Sequence, residues 1–389
     1  MICMKNVLII GFSSRNIVKS ANNAGYNVYS IDSFCDFDCK YYSQSTRIID
    51  LGDKTKSCIF QEIHELTKSF NVEFDFAILG AGFEHIDFSE FSVPVLNNKY
   101  DVLEKVSNKL NLSKELSKLN IPHPKIYCPY DIEECVFPLI AKPILGGGGT
   151  FNQKLEDLED YYKFKDHLEV SCGKLTDFIL QDFVEGVPAS VSLISAGSKS
   201  VPLSINEQLI GIEWLGSYAY TYCGNITPLK NFYSKQMEKI AANISNELNL
   251  FGSNGVDFIL TKNGPIVIEV NARFQGSLDT VELATNLNLF NAHVNSFRSI
   301  LPSVNPLNSS YAGKAVAYAV KDFVVTDSIF ETILGENSSD IPNKGDFICT
   351  GDPITSIIKK GFSRHEVLQS LWTSSKTIYN SINTSGEVK

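Results

Sequence analysis

The chain has 389 residues, 43% of them hydrophobic and 20% charged, enough for two or three packed domains of ordinary size. Its formal net charge of -10 argues against nucleic acid or an anionic membrane as the main partner, because the overall field would repel either. Nine scattered cysteines form no disulfide framework, and neither a signal peptide nor a long apolar run is present, so a cytoplasmic location is expected.

The first hundred residues alternate strand and helix. "KNVLII" (Lys5 to Ile10) reads as a buried parallel strand, Ile17, Val18, Ala21 and Ala24 give a helical face closed by Gly25, and "NVYSID" starts a second strand. This is a Rossmann-like unit. Its first turn, "GFSSRN", has one glycine where a dinucleotide fingerprint needs three, so Asp32 at the end of the second strand is a weak candidate for a ribose-binding acid. Ile59, Ile63, Leu66 and Phe70 mark another helix, and "FDFAILG" another strand. The loop beyond it carries Glu84 and His85 where ligands of open sheets bind, although an exposed loop pair is the commoner case. Cys35 and Cys39 have the spacing of a metal pair but lack a matching second pair, which favours a structural role.

After "VPVLNNK" the chain becomes helical and polar from Lys99 to Asn120, until "IPHP" breaks it. A strand carrying Lys142 then runs into Gly146, Gly147, Gly148 and Gly149, followed by Thr150. Four glycines cost backbone entropy and pack nothing, which makes sense either in a flexible hairpin tip or where bare N–H groups close over phosphates. No Lys-Ser or Lys-Thr follows, so the loop is no Walker motif. "FILQDFVEGVPASVSLIS" reads as strand, hinge and strand. Such a hinge can read an adenine edge with one carbonyl and one N–H, with Glu185 placed for the ribose hydroxyls.

The last informative stretch is "GVDFILTKNGPIVIEVNARFQGS", Gly255 to Ser277, a hairpin about "TKNG". A two-residue Asn263-Gly264 turn sets Asp257 opposite Val270, with the carboxylates on opposite faces. A three-residue turn pairs Thr261 with Pro265 and Asp257 with Glu269. In the second register Asn271 stands beside Glu269, and Arg273 continues the row if the strand does. Two carboxylates and an amide oxygen on one face suit magnesium; a solvated acidic hairpin face is the plain alternative.

These stretches, in this order, resemble the ATP-grasp superfamily over nearly the whole chain. The resemblance implies an α/β and α+β fold: a Rossmann-like domain over 1–97, linker helices and lid over 98–185, a central subdomain with the metal site over 186–301, and C-terminal strands and a helix over 302–389, disordered beyond Ser381. It implies ATP bound through Lys142, the glycine loop, Gln181, backbone groups of Asp182 and Val184, and Glu185. Lys109 fits the linker lysine better than the neighbouring Lys99 and Lys105. Asp257, Glu269 and Asn271 match the triad for magnesium, with manganese as a substitute, and Arg273 matches the arginine that steadies the phosphorylated carboxylate. "GFSSRNIVKSANNAGYNVYSIDSFCDFD" and "IPNKGDFICTGDPITSII" are similar to predicted carboligases related to biotin carboxylase.

The implied activity is ATP-dependent ligation, with Lys142 and Arg273 as catalytic residues and a small-molecule carboxylate and amine as partners. Biotin-carboxylase-like carboxylation, a phosphotransferase and a noncatalytic nucleotide-binding regulator are the alternatives. No nucleic acid or membrane partner is expected, and a homodimer is left open.

Overall fold

A computed structural model describes residues 4–52, 54–149, 151–170, 173–303 and 310–385. The continuous apolar run of the first strand is explained by burial on both faces. Strands β1 (Asn6–Gly11), β2 (Asn27–Asp32), β3 (Ser45–Ile48) and β4 (Phe76–Leu79) form a parallel sheet in the order β3-β2-β1-β4, interleaved with α1 (Arg15–Asn23), α2 (Phe37–Tyr42) and α3 (Lys56–Lys68). Leu8 and Ile10 face a core with Ile63 and Phe83, whereas Val7 and Ile9 face Phe274, Val281 and Phe290 from much later in the chain. One face of this small sheet is therefore completed by the rest of the protein.

Helices α4 (Tyr100–Ser107) and α5 (Lys109–Lys118) follow, and Asn108 Oδ1 caps α5 by accepting from Leu110 N at 3.0 Å. Both helices pack through Leu103, Val106, Leu112 and Leu116 on the large sheet. A second small sheet, ordered β5-β8-β6-β7, comprises β5 (Ile126–Tyr127), β6 (Leu139–Pro143), β7 (Gln153–Leu155) and β8 (Phe178–Asp182), backed by α6 (Leu158–Val170). This is the lid.

The large sheet has eight strands in the order β13-β12-β9-β10-β11-β14-β18-β16. Its members are β9 (Val187–Ala196), β10 (Ser200–Ile210), β11 (Tyr222–Thr227), β12 (Phe251–Thr261), β13 (Gly264–Asn271), β14 (Tyr311–Tyr318), β16 (Ser338–Ser339) and β18 (Pro353–Gly361), while β15 (Phe323–Val324) and β17 (Phe347–Ile348) pair separately. Helix α7 (Ser234–Glu247) lies on the same face as α4 and α5; α8 (Leu278–Thr285) and α9 (Leu289–Ser296) lie on the other, against the Rossmann-like domain. Helices α10 (Asp327–Gly335) and α11 (Arg364–Ser385) cover the C-terminal strands. Because β14 pairs directly with β11, those strands extend the central sheet. The expected disorder beyond Ser381 is corrected as far as Ser385, where α11 ends with Ile382 buried; residues 386–389 lie outside the described residues.

A buried charge network ties the Rossmann-like domain to α8 and to the C-terminal elements. Arg15, fully enclosed, donates Nη1 and Nη2 to Asp279 at 2.7 and 2.9 Å and Nε to Asp340 at 2.7 Å, with Asp38 at 3.5 Å. Lys314 approaches Asp279 and Asp340 at 3.7 and 3.5 Å. Burial pulls against ionisation of both aspartates, yet Arg15 and Lys314 hold them below the usual carboxylate range. Nearby Asp36, buried among Asp340, Asp32 and Asp38, is pushed up to about 9. Arg15→Ala leaves Asp279 and Asp340 without their main cation and is expected to cost about 3–5 kcal/mol in urea unfolding.

Candidate active site

Between the lid and the large sheet lies a cleft of about 810 Å³. Lys109, Lys142, Gly146 to Gly149, Gln181, Asp182, Val184, Glu185, Asp257, Glu269, Asn271 and Arg273 all line it. Residues separated by up to 164 positions in the chain (273 − 109) thus converge on one space.

The hairpin reaches its register by an unexpected route. The turn is Lys262-Asn263, which pairs Thr261 with Gly264 and not with Pro265. Carried on without interruption, that register would put Asp257 opposite Ile268. A β-bulge between Asp257 and Phe258 leaves Ile268 without a partner and restores the pairing of Asp257 with Glu269 and of Gly255 with Asn271. The strand ends at Asn271, so Arg273 reaches the cleft from the loop before α8.

The two facing carboxylates leave an electrostatic mark. Burial, then Glu269, pushes Asp257 up to about 7, against hydrogen bonds from Gln208 and Asn271. Asn271 Nδ2 donates to Asp257 Oδ2 at 3.1 Å. Two oxygen-bearing acids in such proximity, one reluctant to ionise, and an amide beside them form a donor set that fits a hard divalent cation. Gln208 was not foreseen; its trace in the sequence is a polar side chain within the strand run "INEQLI".

On the lid, Lys142 is buried and donates Nζ to Gln181 Oε1 at 3.0 Å. Burial lowers it to about 8, with Glu269 opposing the shift. Gln181 therefore orients the lysine. Lys109, at the capped start of α5, donates Nζ to Gly146 O at 2.8 Å; Lys99 and Lys105 do not line the cleft. Gly146, Gly148 and Gly149 have φ of 106°, 70° and 78°, which disfavours any side chain. Gly149 also lies so close beneath Tyr220 that a Cβ would come 1.7 Å from the Tyr220 carbonyl oxygen, while Tyr222 N donates to Gly148 O at 3.1 Å. The loop is thus docked on the large sheet, and Thr150 falls outside the described residues.

The hinge has a free edge. Asp182 N and Phe183 N donate to Lys125 O and Pro138 O, at 3.0 and 3.1 Å, and Asp182 Oδ1 accepts from Tyr127 Oη at 2.9 Å. Val184 N has no protein acceptor among the described residues. Ile140, Phe183, Ile210 and Ile268 give the neighbouring walls an apolar surface, and Glu185 is exposed at the mouth.

Other candidates take structural roles. Asp32 accepts from Ser14 N and Oγ at 2.6 and 2.7 Å, and from Phe34 N and Cys35 N, both at 2.8 Å, so the first turn consumes it. Burial pushes the Cys35 thiol up to about 11 and raises that of Cys39, and no group of three His, Cys, Asp or Glu residues suited to a metal occurs among the described residues. His85, its pKa lowered by burial, lies 3.4 Å from Ser107 Oγ, and Glu84 forms an ion pair with Arg273.

Comparison with known proteins bears on the fold. Residues 106–277 match the family model of the ATP-grasp domain. The chain is 26% identical over 368 residues to an uncharacterised protein of Methanocaldococcus jannaschii, covering 91% of this chain and 88% of that one. It is 23% identical over 320 residues to a formate-dependent phosphoribosylglycinamide formyltransferase of Prochlorococcus marinus, covering 79% and 80%. The biotin carboxylase domain of Hydrogenobacter thermophilus 2-oxoglutarate carboxylase, solved with MgADP, ADP and bicarbonate, superposes with a TM-score of 0.72 at 12% identity over 99% of this chain and 90% of that one. The architecture is the ATP-grasp fold preceded by a Rossmann-like domain. Residues 106–277 are thus similar to an ATP-grasp domain, and the whole chain shares the fold of that solved structure. No helix among the described residues is long and apolar enough to cross a membrane.

Asp257 keeps its proton to about 7 in the folded protein but ionises near 3.8 in an unfolded chain, so its contribution to stability falls as pH rises through that window. Asp257→Asn is accordingly expected to gain stability relative to the parent as pH rises from about 4 to about 8, measured by urea unfolding across that range.

Proposed function

We propose that this protein is a magnesium-dependent ligase that uses ATP to activate a carboxylate for attack by an amine. The observation that carries the reading is the convergence of two lysines, a glycine loop, a hinge with a free N–H and a carboxylate pair on one cleft. The apolar walls suit a purine, and the Asp182–Val184 edge offers the carbonyl and N–H that an adenine requires. Lys142, Lys109 and the glycine loop counter the charge of a triphosphate. Asp257, Glu269 and Asn271 would hold magnesium, which when bound supplies positive charge to the phosphate oxygens.

A carboxylate is a poor electrophile. In the proposed reaction its oxygen takes the γ-phosphoryl group, the bond from that phosphorus to ADP breaks, and an acyl phosphate forms. An amine then attacks the carbonyl carbon, the bond to the phosphate oxygen breaks, and the amine proton passes to solvent or base, leaving an amide, ADP and phosphate. Arg273 is placed to steady the transferring group, since buried positive charge acts most strongly where negative charge develops. The lid, docked through Gly148 and Gly149, would shield the reacting atoms from water when the cleft is filled.

Two measurements test the reading. Calorimetry should show Mg-ADP or Mg-ATP bound in preference to GTP or NAD; tight NAD binding contradicts it. Glu269→Ala should keep the parent circular dichroism and lose ATP-dependent phosphate release by at least about a hundredfold, a barrier increase of roughly 2.7 kcal/mol. Phosphate release at the parent rate in that variant removes the hairpin from the mechanism.

A further inference from the structure

The arginine assigned above to the transferring group already has a partner. Arg273 forms an ion pair with Glu84, from the loop that follows β4 of the Rossmann-like domain, and donates Nη1 to Phe274 O at 3.0 Å. The two paired side chains are 19% and 18% exposed. Burial acts to raise Glu84, yet Arg273 and the Gly82 N–H, 2.8 Å from Glu84 Oε2, hold it below the ordinary carboxylate range. The pair sits beyond the C-terminal edge of the parallel sheet, where open α/β sheets take their ligands.

Charge balance limits what can enter. Arg273 meets Glu84 through Nε and Phe274 O through Nη1, so a substrate carboxylate at the same guanidinium sets two enclosed carboxylates against one cation, which is unfavourable without a further positive charge. Neighbouring His85 cannot replace the arginine, because burial lowers its pKa and keeps it neutral. Lys109 is engaged with the Gly146 carbonyl. The compensating cation has to arrive with the substrate.

Building on the ligase reading, we propose that the carboxylate substrate is an amino acid: its carboxylate takes Arg273 and its ammonium takes Glu84. Glu84 is then a positioning residue that shares the arginine with the substrate carboxylate and holds the ammonium. The ammonium held by Glu84 is not the attacking amine, so the nucleophile is a second molecule. A monocarboxylate without an ammonium binds more weakly because it leaves two carboxylates on one arginine.

The probes are the twenty proteinogenic amino acids and their des-amino counterparts, beginning with glycine against acetate and alanine against propionate. Each is titrated by calorimetry into the Mg-ADP-saturated parent, Glu84→Gln and Glu84→Asp, with ATP-dependent phosphate release as a second readout. At least one amino acid should bind the parent about tenfold or more tighter than its des-amino analogue. Glu84→Gln, which removes the charge but keeps the shape, should erase that ratio by improving the des-amino acid, and Glu84→Asp should restore part of it. Mg-ADP affinity and circular dichroism confirm that each variant is folded. The inference is overturned if no amino acid binds, if the parent binds the des-amino acids equally well, or if the preference survives in Glu84→Gln. A parent that binds no Mg-ADP overturns the ligase reading and this inference with it, whereas Mg-ADP binding without the preference overturns the inference alone.

Discussion

Two carboxylates set side by side on adjacent strands are the constraint around which the rest is arranged. Asp257 and Glu269 are unfavourable neighbours, and burial together with the Glu269 charge holds Asp257 above the ordinary carboxylate range. Such a pair persists only if the surrounding structure enforces it. β12 is held on one side by β13 and on the other by β9, where Asp257 lies opposite Ser190, and Phe258 and Val267 anchor the reverse face in a core shared with α4, α5 and α7. Local destabilisation at a functional site is carried by packing elsewhere.

That packing extends through the whole chain. The Rossmann-like sheet is completed by aromatic residues from beyond β13, and Arg15 fastens its first helix to Asp279 at the start of α8 and to Asp340 among the C-terminal elements. Buried ions are an expensive fastening when hydrophobic contacts would serve. They do fix orientation, because an arginine fork meets a carboxylate in few geometries. The loop bearing Glu84 must meet Arg273 from another domain, so orientation matters here.

Much of the site was legible because its signals are local. A glycine run, a lysine at a strand end and acids inside an apolar hairpin stand out in a few residues each, and their joint order carried the superfamily resemblance. The hairpin register was legible only in its outcome: Asp257 does face Glu269, but by way of a bulge at Ile268 and not through the turn. No propensity marks a bulge in a run of Ile, Val and Ile. The Arg15 network, the Glu84–Arg273 pair and the seat of Gly149 beneath Tyr220 join distant positions, and a single sequence carries no pattern for such contacts. Asp32 misled for a related reason: the end of a second strand is where a ribose acid sits in dinucleotide folds, and here four donors from the chain itself fill it. The last turn of α11 was missed because its polar residues hide one buried isoleucine, Ile382.

The bulge at Ile268 also bears on how this hairpin can diverge. A two-residue turn with the bulge and a three-residue turn without it bring the same two carboxylates face to face. Turn and active register are therefore uncoupled: a residue gained at the tip is cancelled by one lost from the bulge, with β12 below it undisturbed. Descendants of this chain could differ in hairpin tip while keeping identical chemistry beneath, and a pairwise alignment that places a gap at the turn would misnumber the strand between tip and bulge.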